Sequence, residues 1–268
     1  MPEDALGRGP GAAICQDATV TAPLPAGLAI VAAAVLAVAG YAGGWMIAAA
    51  AGLTVLALAV GWSDLLRLPH RPGTSALVLI LGVSGLVAGT VAVSPRIDVD
   101  QPLSVFSGVM AGAVLSSFGH EIVRQDGRHD LVESVTGTLA GQFVAVLAAG
   151  WILVADSGGA QAVVVAAAGA AAARVALALP LSQSVLTWAG LGAGLAASVI
   201  ASLVVGDVPV ITAVAVGVAV SGVGIAIDRL IDADGRLTRL QPATLARAAA
   251  PIAAAGTAAY AVFRLGIG

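Results

Sequence analysis

Apolar residues along this chain neither alternate nor recur on one helical face. They run on in unbroken stretches separated by short polar turns. Crossing a bilayer core of about 30 Å takes roughly 20 mostly apolar residues in an α-helix. Stretches of this kind occupy 26–40, 45–62, 75–93, 103–118, 131–155, 160–179, 184–205, 209–227 and 244–263. The pattern predicts an all-α integral membrane protein, a polytopic helical bundle of about nine transmembrane helices with short loops. Residues 26–62 form one uncharged stretch, at about 1.5 Å per residue far too long to cross once. Tyr41, Ala42, Gly43 and Gly44 are therefore expected to break it into a helical hairpin.

No connection between these stretches is long enough to hold an inserted soluble domain. The expected organisation is a disordered cytoplasmic tail over 1–24 and a single multi-pass domain over 25–268. The tail sets Glu3, Asp4 and Asp17 against Arg8 and lacks the basic start and early apolar run of a secretory signal. Cys15 is the only cysteine, so no internal disulfide can form, and a free thiol in the tail is the expectation.

The positions of the arginines predict an orientation. Arg67 and Arg71, then Arg124 and Arg128, then Arg229, Arg236 and Arg239 fall in three connections separated by even numbers of spans. The intervening connections hold Arg96 with Asp98 and Asp100, then Asp156, then Asp207. By the positive-inside rule the arginine-rich end is cytoplasmic, which puts the N-terminus inside and the C-terminus outside. Trp45, Trp62, Trp151 and Trp188 all lie near predicted span ends, where indole rings favour the headgroup zone.

Composition narrows the class further. Apolar residues make up 59% of the 268 positions and charged residues only 10%, against about 25% charge in a soluble domain. The net charge is −3 and no lysine is present, so the basic face that nucleic-acid binding needs is missing. The Ala, Gly, Val and Arg bias resembles that of proteins encoded by high-GC genomes, and this resemblance implies a location in the cell (inner) membrane.

Small residues let membrane helices approach closely. Ser104, Gly108, Gly112 and Ser116 on the fourth span, and Gly137 and Gly141 on the fifth, are expected packing stripes. Asp126, Gly127, Arg128 recurs as Asp234, Gly235, Arg236, Gly85 and Leu86 match Gly194 and Leu195, and Asp98 matches Asp207. A weak parallel repeat of 75–155 and 184–266 would account for all three.

Chemistry concentrates between the fourth and fifth spans: His120, Glu121, Arg124, Asp126, Arg128, His129, Asp130 and Glu133. Carboxylates, imidazoles and guanidiniums together can move protons, bind a metal or hold a phosphate. No known spacing is met, however. His120 and Glu121 begin like a zinc-protease helix, but position 124 is Arg where the second His belongs. Asp126 to Arg128 begins like the motif of the CDP-alcohol phosphotransferases, and the spaced aspartates that should follow are absent. Asp232 to Gly235 lacks the closing acid of a calcium loop, and no phosphate-cradling glycine loop is present. No cofactor and no metal are therefore expected.

Beyond Glu133, the residues Ser134, Thr138 and Gln142 succeed one another at four-residue spacing, which aligns them on one side of a helix. They form a candidate intramembrane polar path with Arg174, the one base deep inside a predicted span. Arg174 lies six residues before Pro180, close enough to snorkel to the interface; pairing with Glu133 or Glu121, or contact with an anionic substrate, are the other readings. The favoured function is a non-ATP-driven permease or transport-related protein entered at the loop between helices 4 and 5. A membrane enzyme acting on lipid or phosphate groups, using His120, Glu121, His129 and Asp130, and a non-catalytic envelope scaffold are the alternatives. Expected partners are membrane lipids and a small-molecule or lipid substrate.

Overall fold

A computed structural model describes residues 23–95, 104–124, 130–231 and 240–267. The tail with Cys15, the Asp126, Arg128 and His129 segment, and both repeats of the Asp-Gly-Arg triplet lie outside the described residues. Among those described, the elements are all helical: α1 Pro23–Ala42, α2 Trp45–Leu65, α3 Arg71–Ala92, α4 Ser104–Val123, α5 Leu131–Leu147, α6 Gly150–Leu177, α7 Gln183–Val205, α8 Val210–Leu230 and α9 Pro242–Val262, with a closing π-turn Phe263–Ile267. The result is a polytopic helical bundle.

Among the described residues, eight apolar helical stretches are long enough to span a membrane, and one of them, Leu131–Leu177, runs for 47 residues. At 1.5 Å per residue that is about 70 Å, more than twice the bilayer core. The chain resolves this at Gly159, whose φ of 70° and ψ of −173° are non-helical and essentially restricted to glycine. Gly159 thus separates 131–158 from 160–177, at the break the sequence places between its fifth and sixth stretches. The hairpin expected at Tyr41–Gly44 is also present, turned by Gly43 at φ 71° and Gly44 at φ 46°.

Contacts at the helix ends show which connections share an end. The rings of His70 and His120 lie 5.0 Å apart, the Trp62 indole N–H donates to the Gly137 carbonyl at 2.8 Å, and Gly61 sits directly under the Pro242 carbonyl. The ends of α2, α4, α6 and α8 and the starts of α3, α5, α7 and α9 therefore meet at one arginine-rich end. At the opposite end Gly40 packs on Val163 and Gln161 Nε2 donates to Asp207 at 2.9 Å.

The bundle is centred on α6 and α9, with α1, α2 and α8 around them, α7 against α6 and α8, and α3 and α5 further out. The fourth helix packs on α3 and α5 at the edge. Where α5 passes into α6 the helix tightens: the amides of Ala148, Ala149, Trp151 and Ile152 donate to carbonyls three residues back, a 3₁₀ pattern. The Leu147 carbonyl, deprived of its usual partner, accepts from Thr257 Oγ1 at 2.7 Å. Gly150 and Gly256 permit that approach, since a side chain at Gly150 would run into the Thr257 backbone and one at Gly256 into Trp151.

One small-residue expectation is corrected. Most of the Ser104, Gly108, Gly112, Ser116 stripe is not a seam: nothing lies within 4 Å of a Cβ built on Gly108, only Leu81 comes that near to Gly112, and Ser116 alone meets α5, through Gln142. Gly137 and Gly141 are close-packing positions as expected, their neighbours being Leu68 and the Trp62 indole. The tight small-residue seam instead joins α6, α7 and α8 through Gly169, Gly194, Ser198, Gly217 and Ser221. Of the tryptophans, only Trp45 and Trp188 are exposed, as a headgroup anchor requires. Trp62 and Trp151 are buried, and Trp151 donates to the Ile252 carbonyl at 2.9 Å, beside Pro251, which removes a backbone donor from α9. Both indoles serve helix contacts because each brings a large apolar body and one N–H that a buried carbonyl can accept.

Replacing Gly194 by Val should overpack the α6–α7–α8 seam at a cost of about 1–3 kcal/mol or more and lower the thermal unfolding midpoint. Gly108→Val should leave it within error, and equal losses at both sites in a thermal-shift assay would contradict this assignment of the seam.

Candidate functional site

The α4 residues Ser117, Glu121 and Arg124 are spaced by four and three and so lie on one helical face. They meet the Ser134, Thr138, Gln142 face of α5, with Thr74 of α3 closing the side. Arg124 Nη1 reaches both Glu121 carboxylate oxygens, at 3.0 and 3.2 Å, and the Ser134 hydroxyl at 3.0 Å. Ser134 in turn donates to Glu121 Oε1. Deeper in, the Thr74 and Thr138 hydroxyls bond to each other at 3.3 Å. Gln142 Oε1 accepts from Ser117 at 2.9 Å, and its amide nitrogen donates to Ser116 at 3.1 Å.

Glu121, Arg124, Ser134, Thr138 and Gln142 are all buried. The arrangement is a ladder of polar side chains running from an ion pair at the arginine-rich end toward the interior. Its electrostatics follow from desolvation: a carboxylate and a guanidinium excluded from water are tolerable only together, with their remaining hydrogen-bonding capacity occupied. Ser134 serves that purpose by bonding to both.

The rest of the predicted cluster is placed elsewhere. Glu133 and Asp130 are exposed, Asp130 with a left-handed φ of 54° directly before α5. Although adjacent in sequence to Glu121, His120 points away from the ladder and lies against His70. Both imidazoles crowd the Cα of Gly73, with His70 Nδ1 and His120 Cε1 occupying the space a side chain there would need. Among the described residues no three His, Cys, Asp or Glu side chains form a group able to hold a metal.

Arg174 is not part of the ladder. Its side chain is 6% exposed, and its Nη1 lies 3.0 Å from Asp228 Oδ1, with Arg247 Nε 3.7 Å from the same oxygen. It therefore neither snorkels nor pairs with Glu133 or Glu121. The α6 face on which it stands is covered by α8 and α9, and Asp228 one turn inside α8 gives it a counter-charge without an excursion to the surface. The apolar stretch ending at 227 leaves Asp228 in a connection, and nothing in the stretch 244–263 singles out Arg247. The available signal was a lone acid ending one apolar run and a lone base opening another. Ser116, Ser117 and Thr74 were likewise missed as partners of the α5 stripe, because hydroxyls in apolar helices commonly satisfy their own backbone.

Truncating one member of the buried pair, as in Arg124→Ala, should destabilise the protein by about 3–5 kcal/mol because Glu121 is left charged and dry. The double variant Glu121→Ala with Arg124→Ala should recover part of that loss in a double-mutant cycle; additive losses would show that the two side chains do not act as a pair. Comparison with family models, with curated proteins and with solved structures finds no match to this chain.

Proposed function

We propose that this multi-pass protein is a non-ATP-driven permease or transport-related protein of the cell membrane whose polar entrance is the Glu121–Arg124–Ser134 cluster. The observation that carries this reading is the ladder from that ion pair to Gln142 in the seam between α4 and α5. Polar groups at membrane depth are costly and tend to mark a pathway. Position supports the same reading. The fourth helix packs at the edge, on α3 and α5, and most of its surface is exposed, so the seam can part without disturbing the α6–α9 centre. In this reading the arginine-rich end is cytoplasmic, the N-terminus inside and the C-terminus outside.

A second reading, a non-catalytic envelope scaffold, is favoured by one observation: Gln142 is fully buried and bonded at both ends of its amide, and Arg174 is paired in a different part of the bundle. The enzyme alternative loses its best acid, since Glu121 is engaged by Arg124 and Ser134 rather than presented beside His120.

The single cysteine makes the readings separable. In a Cys15→Ser background, Ser134→Cys, Thr138→Cys and Ser117→Cys should react with a membrane-impermeant thiol reagent at rates that fall with depth. Labelling confined to an exposed control, Glu133→Cys, would leave the scaffold. Reporter fusions after Val154 and after Arg229 should report opposite sides of the membrane, with the Arg229 fusion cytoplasmic; the same side for both would overturn the topology.

A further inference from the structure

The last turn of α6, the last turn of α8 and the second turn of α9 converge at the arginine-rich end on Arg174, Asp228 and Arg247. Two guanidiniums approach one carboxylate oxygen, Arg174 Nη1 at 3.0 Å and Arg247 Nε at 3.7 Å. Arginine does not give up its proton in a protein, so these three side chains together carry one net positive charge, and no further acid pairs with them among the described residues. The second contact is too long for a hydrogen bond. Arg174 Nη1 is held by the Asp228 carboxylate, but Arg174 Nε is buried and has no hydrogen-bond partner among the described residues, the residue being only 5% exposed. Contrast the Glu121–Arg124 pair, which is neutral and closed by Ser134, and the Arg71–Asp64 pair, whose arginine is largely exposed to solvent.

A buried guanidinium donor without an acceptor, in a cluster whose described side chains carry a net positive charge, is the counterpart of an oxyanion. Guanidinium groups suit phosphate because their planar fork presents parallel donors to two oxygens. The carboxylate already present sets the charge of the ligand: one negative charge neutralises the cluster, whereas a dianion would meet repulsion from Asp228. The Arg247 and Asp228 side chains retain 15% and 14% exposure, so the cluster is not sealed at the helix ends. We propose that Arg174 and Arg247, gathered on Asp228, form a binding site for a single phosphate-type monoanion, with Arg247 at its mouth. A phospholipid phosphodiester and free monobasic phosphate share this chemistry. The site stands on α6, α8 and α9 and does not depend on the α4–α5 seam being a transport path.

The test uses the full-length protein in phosphatidylcholine nanodiscs, with the thermal unfolding midpoint read with and without added phosphatidylglycerol, and separately with and without inorganic phosphate at constant ionic strength. The wild type should gain several degrees from phosphatidylglycerol alone if the ligand is a lipid headgroup, and from both additives if it is any accessible phosphate. Arg247→Gln leaves the neutral Arg174–Asp228 pair and should lose that gain; Arg71→Gln should keep both its midpoint in phosphatidylcholine and the gain. Asp228→Asn, which raises the surplus charge, should enlarge it. No gain in the wild type with either additive, or a full gain retained by Arg247→Gln, would overturn the proposal. A lowered baseline for Arg247→Gln with the gain intact would assign the arginine a structural role only and overturn it equally.

Discussion

Lipid is as apolar as the side chains that face it, so helices in a membrane gain little from burying leucine or valine against one another. Association depends instead on how closely backbones approach and on whether each polar group finds a partner inside the protein. The contact between α6 and α9 meets both demands at once. Gly150 and Gly256 bring the two backbones together, and Thr257 occupies the Leu147 carbonyl that the 3₁₀ tightening of residues 148–152 would otherwise strand. Trp151 reaches back to the Ile252 carbonyl beside Pro251. From this crossing α1, α2 and α8 are placed around the pair, and residues 248–256 are buried without interruption.

Charge in the bundle is handled under the same constraint in two ways. Between α4 and α5 the ions are equal in number and their hydrogen bonds are completed by a serine. Between α6, α8 and α9 they are unequal among the described residues, and Arg174 Nε has no acceptor there. The first arrangement sits beside an edge helix and the second against the rigid centre.

Much of this was legible from local sequence. The turn at Tyr41–Gly44 and the break before Ala160 are glycine positions whose φ values are positive, and the four-residue spacing of Ser134, Thr138 and Gln142 announced a common face. Partners were not legible. Ser117 for Gln142, Thr74 for Thr138 and Asp228 for Arg174 come from other helices, at separations along the chain that no periodicity encodes. The same gap misled the reading of Trp62 and Trp151: nearness to a span end is a property of sequence, but facing lipid or a neighbour is not.

The sequence by itself determined how many helices there are, where they turn and which connections share an end, because length, glycine placement and the parity of crossings are properties of a chain read in one dimension. Only the tertiary structure decided how each helix is rotated about its axis, and so which small residues meet, which indoles are buried and which charges pair. The physical reason is that these helices are apolar all round. An amphipathic helix declares its inner face by a polar stripe on the other side, whereas a helix of alanine, valine, leucine and glycine carries no such mark until a neighbour's backbone fits against it.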